Sequence, residues 1–431
     1  MEPKTKWLIS KNRSCSCTMT GVWRAVAFCE GCAVIFHSPL GCVHVADKLE
    51  LGSYYRIVAE GGRERFDLVP LVSSNMREKD TIFGAVNRLH QCISFVMENY
   101  KPKCLLIATS CVAGVIGDDV ESEAEEAEMN YGIPVLCMPF GGFLGGEYSD
   151  GYYKTIDMII HRFFKVQKKV KGTVLLLGDQ MGPEGQYAKE VRRILSLFGL
   201  TVKWQFPAYV PFDEWSTLPS AEIMVLLGRS GESEGLIRTA KMMEEEYHIH
   251  NLGFIYPIGW ENTCAWIRKI AEWQGNLPLG EKIIDEEEKR LTEYVKTILH
   301  VTEGKIASIG IGRGPIWYDP GDTIRSVSRL HMKLQCVILY DNLSDKEKEI
   351  YRERIRKYTD VPILDGKDSQ MMMDNSDLLL TTNEIVNTEA KQFFIPMVPL
   401  AGTTGEIVTL RTLYRLLCRY GNKGGIAYAT V

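Results

Sequence analysis

Three cysteines within the first 111 residues each lie close to a glycine. Cys17 opens the segment Cys-Thr-Met-Thr-Gly, Cys42 closes the segment Ser-Pro-Leu-Gly-Cys, and Cys111 opens the segment Cys-Val-Ala-Gly. A thiolate is the soft ligand that iron–sulfur clusters require, and glycine lets a backbone approach such a group closely. Because a cluster normally takes four protein ligands, three thiolates from one chain predict a site that another chain completes.

The remaining cysteines leave two other interpretations open. Of the 12 cysteines, eight fall within the first 111 residues: Cys15, Cys17, Cys29, Cys32, Cys42, Cys92, Cys104 and Cys111. Disulfide frameworks belong to small secreted domains, so this clustering favours metal binding. The pairs Cys15/Cys17 and Cys29/Cys32 could instead form a structural zinc site. Alternatively all of these thiols are inert core residues, with Cys29 and Cys32 on a helix over residues 20–33.

Strands and helices alternate three times along the chain. Apolar runs predict ten strands, one ending near His37 and the others at 104–109, 134–137, 173–177, 223–227, 253–256, 305–311, 335–340, 361–364 and 377–381. This alternation predicts an α/β protein of three Rossmann-like, doubly wound domains with largely parallel sheets. The expected domains are residues 1–168, 169–298 and 299–431, and the last of them ends in a helix.

This organisation places the three cysteines at the ends of elements. Cys17 is expected at the head of a helix, Cys42 in a loop after a strand, and Cys111 in the loop after strand 104–109. Doubly wound sheets carry their functional groups at the ends of strands. His37 and His44, which flank Cys42, are expected to be hydrogen-bonded structural residues.

Composition excludes several classes of partner. The 431-residue chain carries a net charge of −5, which gives no basic field for nucleic acid or anionic lipid. No apolar run reaches the roughly 18 residues of a membrane helix. The first ten residues lack the apolar core of a signal peptide. We therefore expect a cytoplasmic protein that binds neither nucleic acid nor membrane.

The cysteine motifs together resemble the nitrogenase component 1 superfamily. Cys42 follows Cys17 by 25 residues, and Cys111 stands in the segment Cys-Val-Ala-Gly-Val-Ile-Gly-Asp-Asp. The resemblance implies an iron–sulfur cluster at the interface of two homologous subunits, with Cys17, Cys42 and Cys111 as ligands from this chain and Cys15 as a candidate extra ligand. The cluster would be an 8Fe-7S P-cluster, as in nitrogenases, or a 4Fe-4S cluster, as in dark-operative protochlorophyllide reductase.

The same resemblance implies partners and an activity. The chain would be an oxidoreductase subunit of an anaerobic heterotetramer built from two pairs. A separate homodimeric iron protein would deliver electrons at the expense of ATP, and they would pass on to a buried cofactor or substrate. The alternative is a cofactor-assembly scaffold, which carries a cluster without turnover. The sequence has no phosphate loop of its own, so ATP hydrolysis is expected in the partner.

The sequence departs from the catalytic α subunit of nitrogenase at both ligands of the iron–molybdenum cofactor. Ala240 stands where that subunit has cysteine, and residues 393–400 contain no histidine. The chain therefore resembles a β-type subunit, or a subunit of a reductase that lacks this cofactor.

Overall fold

Three parallel β-sheets organise the part of the chain that the computed structural model describes. The structure describes residues 16–48, 68–228, 234–314, 318–366, 369–385, 388–396 and 400–421. Every strand pairing within the three sheets is parallel, and helices connect the strands, which confirms the predicted α/β fold. Cys15, the candidate extra ligand, lies outside the described residues. No helix in the described ranges is long and apolar enough to cross a membrane.

The first sheet has the strand order β2-β1-β3-β4. Its strands are β1 (Cys32–His37), β2 (Leu71–Ser73), β3 (Cys104–Thr109) and β4 (Val135–Met138). The helices around it are α1 (Thr18–Val26), α2 (40–48), α3 (Asp80–Phe83), α4 (Val86–Tyr100), α5 (Cys111–Ile116), α6 (Val120–Tyr131) and α7 (Tyr148–Phe163). All residues of β1 and β3 are buried, as expected for central strands of a parallel sheet covered on both faces.

The second sheet has the order β6-β5-β7-β8. It consists of β5 (Val170–Leu177), β6 (Thr201–Phe206), β7 (Ala221–Leu227) and β8 (His250–Ile255), with helices α8 (Gln186–Leu197) and α9 (Glu234–Tyr247). After β5 the chain forms β6 on one side of β5 and then crosses to form β7 on its other side. The strand order therefore reverses between β5 and β7.

The third sheet has the order β11-β10-β9-β12-β13. Its strands are β9 (Ile306–Ile311), β10 (Lys333–Leu339), β11 (Ile363–Asp365), β12 (Leu378–Thr381) and β13 (Lys391–Phe394). The helices of this part are α10 (Trp260–Trp273), α11 (Leu277–Thr302), α12 (Pro320–Arg329), α13 (Asp345–Arg356), α14 (Gln370–Asp374) and α15 (Gly402–Leu417). The apolar face of α15 packs against α11, within the third sheet's own part of the chain.

The chain divides into two compact units, Met1–Ile255 and Tyr256–Val431. The first unit contains the first and the second sheet. Their side chains share one buried apolar cluster, which includes Leu106 of the first sheet and Leu175 of the second. The predicted domain limits after residues 168 and 298 stay predictions.

The helix predicted over residues 20–33 is shorter than expected. It ends at Val26, and Cys32 is the first residue of β1. Gly31 between them has a φ of +90°, a conformation that stops a helix and that glycine adopts readily. Cys29 and Cys32 are indeed buried, but in a turn and a strand rather than on a helix.

Candidate functional site

Cys17, Cys42 and Cys111 all lie at the starts of helices. Cys17 is the N-cap of α1, as predicted. Cys42 lies in the first turn of α2, and Cys111 is the first residue of α5, so the prediction of loop positions for these two was wrong. The short helix α5 forms because the Ser110 side chain caps it, accepting a hydrogen bond of 3.2 Å from the backbone N–H of Ala113.

The fold brings the three thiols close together. Burial raises the pKa of the Cys42 thiol, and electrostatic interaction with the Cys17 and Cys111 thiols raises it further. A hydrogen bond with the Ser38 hydroxyl acts in the opposite direction. All three cysteines are half-buried and none forms a disulfide. Cys42 lies 25 residues after Cys17 and 69 residues before Cys111, yet both are its electrostatic neighbours in the structure.

Gly142 holds the backbone of Cys111 against the loop before α7. A Cβ atom on Gly142 would lie only 2.8 Å from the Cys111 nitrogen and 3.5 Å from its Cβ atom. Gly142 also has a φ of +55°, which disfavours any other residue. The Thr18 hydroxyl donates a hydrogen bond of 2.9 Å to the Gly142 carbonyl, which ties the start of α1 to the same loop. This contact fixes Cys17 and Cys111 relative to each other.

Gly21 serves helix packing. A Cβ atom on Gly21 would lie 2.1 Å from the Tyr148 carbonyl oxygen, and one on Gly151 would lie 2.0 Å from the Thr18 carbonyl oxygen. Helices α1 and α7 therefore cross at backbone contact. Because Cys17 is the N-cap of α1, the crossing sets the position of Cys17. The expectation that glycine allows close approach to a cluster stays a prediction. Cys17 also forms an isolated β-bridge with Glu147, just before α7.

A buried His37–Asp118 pair connects the end of β1 to the segment between α5 and α6. His37 Nε2 lies 3.0 Å from Asp118 Oδ2, and His37 Nδ1 lies 3.0 Å from the Ser74 hydroxyl. Burial lowers the pKa of His37, while the Asp118 carboxylate opposes that shift. Asp118 also accepts a hydrogen bond of 3.0 Å from the Ala85 N–H. Both ring nitrogens have partners, as expected for a structural histidine, whereas His44 is exposed.

The sequence alone does not show whether Asp118 or Asp119 caps α6. Two consecutive aspartates precede α6, and either could cap it. Asp119 is the N-cap, because its carboxylate accepts a hydrogen bond of 3.1 Å from the Ser122 N–H. This leaves Asp118 to hold the segments around Cys42 and Cys111 together.

A second group of thiols lies apart in the core. The pKa of Cys32 is raised well above its ordinary value, first by burial and then by hydrogen bonds with Cys104 and Cys29. The electrostatic neighbours of Cys32 are thus Cys29 and Cys104, whereas those of Cys42 are Cys17 and Cys111. This separation disfavours a zinc site that joins Cys17 to Cys29 and Cys32.

The chemistry of the three donors fits an iron–sulfur cluster, whose protein ligands are thiolates. In the described residues, no three His, Cys, Asp or Glu side chains are placed to hold one metal ion. In a cluster, each protein thiolate binds its own iron atom, so the ligands can lie farther apart than around one ion. Three half-buried thiols, with Gly142 against the Cys111 backbone, are consistent with such a group.

Exposed apolar side chains lie on α5, which begins at Cys111, and on the segments packed against α5. The short helix α3 packs on α5, and α5 packs on the turn at residues 142–144. These three segments expose large apolar side chains, of which Phe83 is 86% exposed and Val115 76%; the others are Ile82, Phe143 and Leu144. An apolar group of this kind next to a polar site is typical of a protein contact surface.

Comparison with known proteins identifies relatives of several kinds. The family model described as nitrogenase component 1 type oxidoreductase matches residues 17–410. The chain is 28% identical over 245 residues to the nitrogenase iron-molybdenum cofactor biosynthesis protein NifE of Clostridium pasteurianum, covering 56% of this chain and 52% of that protein. It is 26% identical over 287 residues to the nitrogenase molybdenum-iron protein alpha chain of Methanosarcina barkeri, covering 64% and 51%.

A β chain is also similar. The nitrogenase molybdenum-iron protein beta chain of Sinorhizobium fredii is 25% identical over 282 residues, covering 61% of this chain and 53% of that protein. The chain thus spans about half the length of the curated relatives it matches.

A solved structure shows the same fold. The structure titled nitrogenase Cp1 at pH 5 superposes with a TM-score of 0.59 at 18% identity, covering 95% of this chain and 89% of the other. The matched family model begins at Cys17 and includes Cys42 and Cys111. The chain therefore belongs to the nitrogenase component 1 type oxidoreductase family.

Proposed function

We propose that this chain is one subunit of a nitrogenase-like reductase and holds half of an iron–sulfur cluster with Cys17, Cys42 and Cys111. The observation that carries the proposal is that contacts join the segments of these three cysteines: Gly142, which accepts a hydrogen bond from Thr18 beside Cys17, lies against the Cys111 backbone, and both of these thiols interact electrostatically with Cys42. A cluster bound there supplies one-electron transfer between an electron donor and a reducible group.

The residues around the thiols set the properties of the site. Burial favours the protonated form of the Cys42 thiol, and an iron atom of the cluster would take the place of that proton. The Ser38 hydroxyl, through its hydrogen bond with Cys42, can tune the reduction potential, as hydrogen bonds to ligand sulfur do in general. The His37–Asp118 pair and the Gly142 contact hold the ligand-bearing segments in place.

A homologous second subunit would supply the remaining ligands. Three thiols are an incomplete set, and the apolar side chains around Cys111 offer a surface for a protein partner. Whether the cluster is of the 8Fe-7S or the 4Fe-4S type depends on the ligands of that partner. By the same resemblance, two such pairs form a heterotetramer, and a homodimeric ATP-dependent iron protein is the electron donor.

The site of reduction would not be an iron–molybdenum cofactor held by this chain. Ala240, at the position of the expected cysteine ligand, is fully buried on α9 and offers no donor atom. This supports either a β-type subunit or a subunit of a reductase that does not use that cofactor.

A cofactor-assembly scaffold is the second candidate, favoured by the similarity to NifE of Clostridium pasteurianum. The two functions share the fold and the cysteines but differ in turnover. Substrate reduction with a matched iron protein would favour the reductase, and transfer of a metal cluster to an apo-enzyme would favour the scaffold.

Replacing single cysteines tests the ligand assignment. We expect Cys42→Ala to remove most of the bound iron from the anaerobically purified complex, because one thiolate of the shared set is lost. Cys29→Ala is the matched control, since Cys29 belongs to the buried group around Cys32. The assignment fails if Cys42→Ala retains the iron, or if Cys29→Ala loses it while the protein stays folded.

A further inference from the structure

A cavity in the first compact unit lies between α7 and the ends of β5 and β7. Its volume is about 370 Å³, toward the lower end of the range for small-molecule sites. Its lining includes Tyr148, Tyr152, Tyr153, Asp179, Leu227 and Phe254.

The position of the cavity is one where parallel sheets bind ligands. In the order β6-β5-β7-β8, all strands are parallel and the strand order reverses between β5 and β7. Gly178 and Asp179 directly follow β5, and Gly228 directly follows β7, and all three line the cavity. Ligands of open α/β sheets bind in the crevice at the carboxyl ends of strands at such a reversal.

One wall of the cavity is made of three tyrosines. The rings of Tyr148 and Tyr152 are stacked, with centroids 5.9 Å apart and an interplanar angle of 13°. The Tyr153 ring meets Tyr152 edge-on at 5.1 Å. Tyr152 is only 8% exposed, so the half-buried rings of Tyr148 and Tyr153 are the ones against which a flat, conjugated ligand can pack.

Asp179 is a fixed hydrogen-bond acceptor in the same cavity. Its carboxylate pairs with the Arg24 guanidinium at 2.5 Å and accepts a hydrogen bond of 2.6 Å from the Tyr209 hydroxyl. The Asp179 side chain remains 33% exposed, and each carboxylate oxygen can accept a second hydrogen bond. Because Arg24 compensates the charge, the cavity favours an uncharged N–H donor over a cation.

The loop that carries Asp179 is held in an uncommon conformation. Gln180 and Met181 both have positive φ angles, of 42° and 69°. The Gln205 amide donates hydrogen bonds to the carbonyls of Gly178, at 3.1 Å, and Asp179, at 2.6 Å. Non-glycine residues in this region cost conformational energy and persist where the surroundings over-determine them, as at ligand clamps.

We propose that this cavity binds a planar conjugated heterocycle of two or three rings, stacked on the tyrosines and donating an N–H hydrogen bond to Asp179. The inference goes beyond the cluster proposal and does not depend on it. The two sites are nevertheless neighbours: the Tyr148 N–H donates to the Ser16 carbonyl at 3.0 Å, next to Cys17.

Binding of lumichrome, an uncharged tricyclic heterocycle with N–H donors, tests the proposal, with pterin and adenine as smaller planar probes. On the full-length protein we expect saturable binding of at least one probe. Asp179→Asn should weaken that binding at least tenfold. Ser149→Trp should abolish it, because exposed Ser149 lines the cavity. The matched control is Asp213→Asn, which removes an ion pair with Lys103 elsewhere in the same unit and should bind normally.

Several results would overturn the proposal. They are no binding of any planar probe, equal binding by the Ser149→Trp variant, or equally tight binding of adamantane-1-carboxamide, a non-planar N–H donor. Ser149 is exposed, so its variant is expected to fold even if Asp179→Asn does not. Iron content measured on the same preparations separates the proposals, because Ser149→Trp should keep its iron.

Discussion

At the scale of single residues, the candidate site depends on one glycine that is distant in sequence from the cysteines it positions. Gly142 contacts Cys111 through its backbone and receives the hydrogen bond of Thr18, 124 residues away. The cysteines could be predicted from sequence because their residue type carries the chemistry. Gly142 could not, because a glycine in the segment Gly-Gly-Phe-Leu-Gly-Gly reveals neither its φ nor its neighbour.

Gly142→Ala should lower the iron content of the protein. The added Cβ atom would lie 2.8 Å from the Cys111 nitrogen, so this cysteine must move. Gly132→Ala is the control, since Gly132 has a similar φ of +67° but open space around its Cβ position. Both substitutions should cost about 1–2 kcal/mol in backbone strain. Only Gly142→Ala should lose iron, and equal iron content in the two variants would contradict the role given to Gly142.

Asp322 should make stability depend on pH. Burial raises the pKa of Asp322 to about 6, although its pairing with Arg325 acts against that shift. An acid with a raised pKa in the folded state stabilises the protein at low pH, and that contribution is lost as the pH rises through about 6. Relative to wild type, Asp322→Asn should therefore gain up to about 3 kcal/mol in the free energy of unfolding between about pH 4 and pH 7.

Urea unfolding of wild type and variant at matched pH values measures this difference. Asp285→Asn, at an exposed position on α11, should show a difference from wild type that stays constant with pH. A constant difference for Asp322→Asn as well would show that the carboxyl has no raised pKa.

At the scale of elements, the crossing of α1 and α7 sets the position of Cys17. The two helices meet at Gly21 and Gly151, where neither position has room for a side chain. The sequence shows that both helices contain a glycine. It does not show that the two helices cross at these glycines, because that contact depends on the fold.

Gly21→Ala should destabilise the first unit by about 1–3 kcal/mol, the usual cost of overpacking, and should reduce iron binding. Its Cβ atom would lie 2.1 Å from a backbone oxygen of α7, so the helices must separate. In the control Gly114→Ala on α5, the nearest atom is 3.5 Å away, and we expect near-normal thermal stability and iron content. A fully stable, iron-replete Gly21→Ala protein would contradict this view of the crossing.

The strands show how far the sequence could predict the elements. β3 is predicted to the residue, and the other buried central strands to within a few residues, because they are continuous apolar runs. The strands that were missed, β2, β6 and β13, all lie at sheet edges. β6 and β13 contain lysine and glutamine, since an edge strand need not be apolar on both faces, and the pattern then resembles a loop.

At the scale of the whole molecule, the chain separates two groups of thiols with different chemistry. Cys29, Cys32 and Cys104 are buried in the core of the first sheet, and burial keeps Cys32 protonated. Cys17, Cys42 and Cys111 are half-buried at helix starts, beside exposed apolar side chains. Only the second group is placed where another protein could reach it, which is the basis for assigning it to a shared cluster.

Metal and sulfide analysis of the anaerobically purified protein, with its absorption spectrum and its copurifying proteins, tests the shared cluster most directly. The predicted result is a brown preparation that contains iron, acid-labile sulfide and a second subunit of similar size. The ratio of iron to subunit pairs would then distinguish a four-iron from an eight-iron cluster. A colourless protein that contains zinc without iron would contradict the proposal and point instead to a structural metal site.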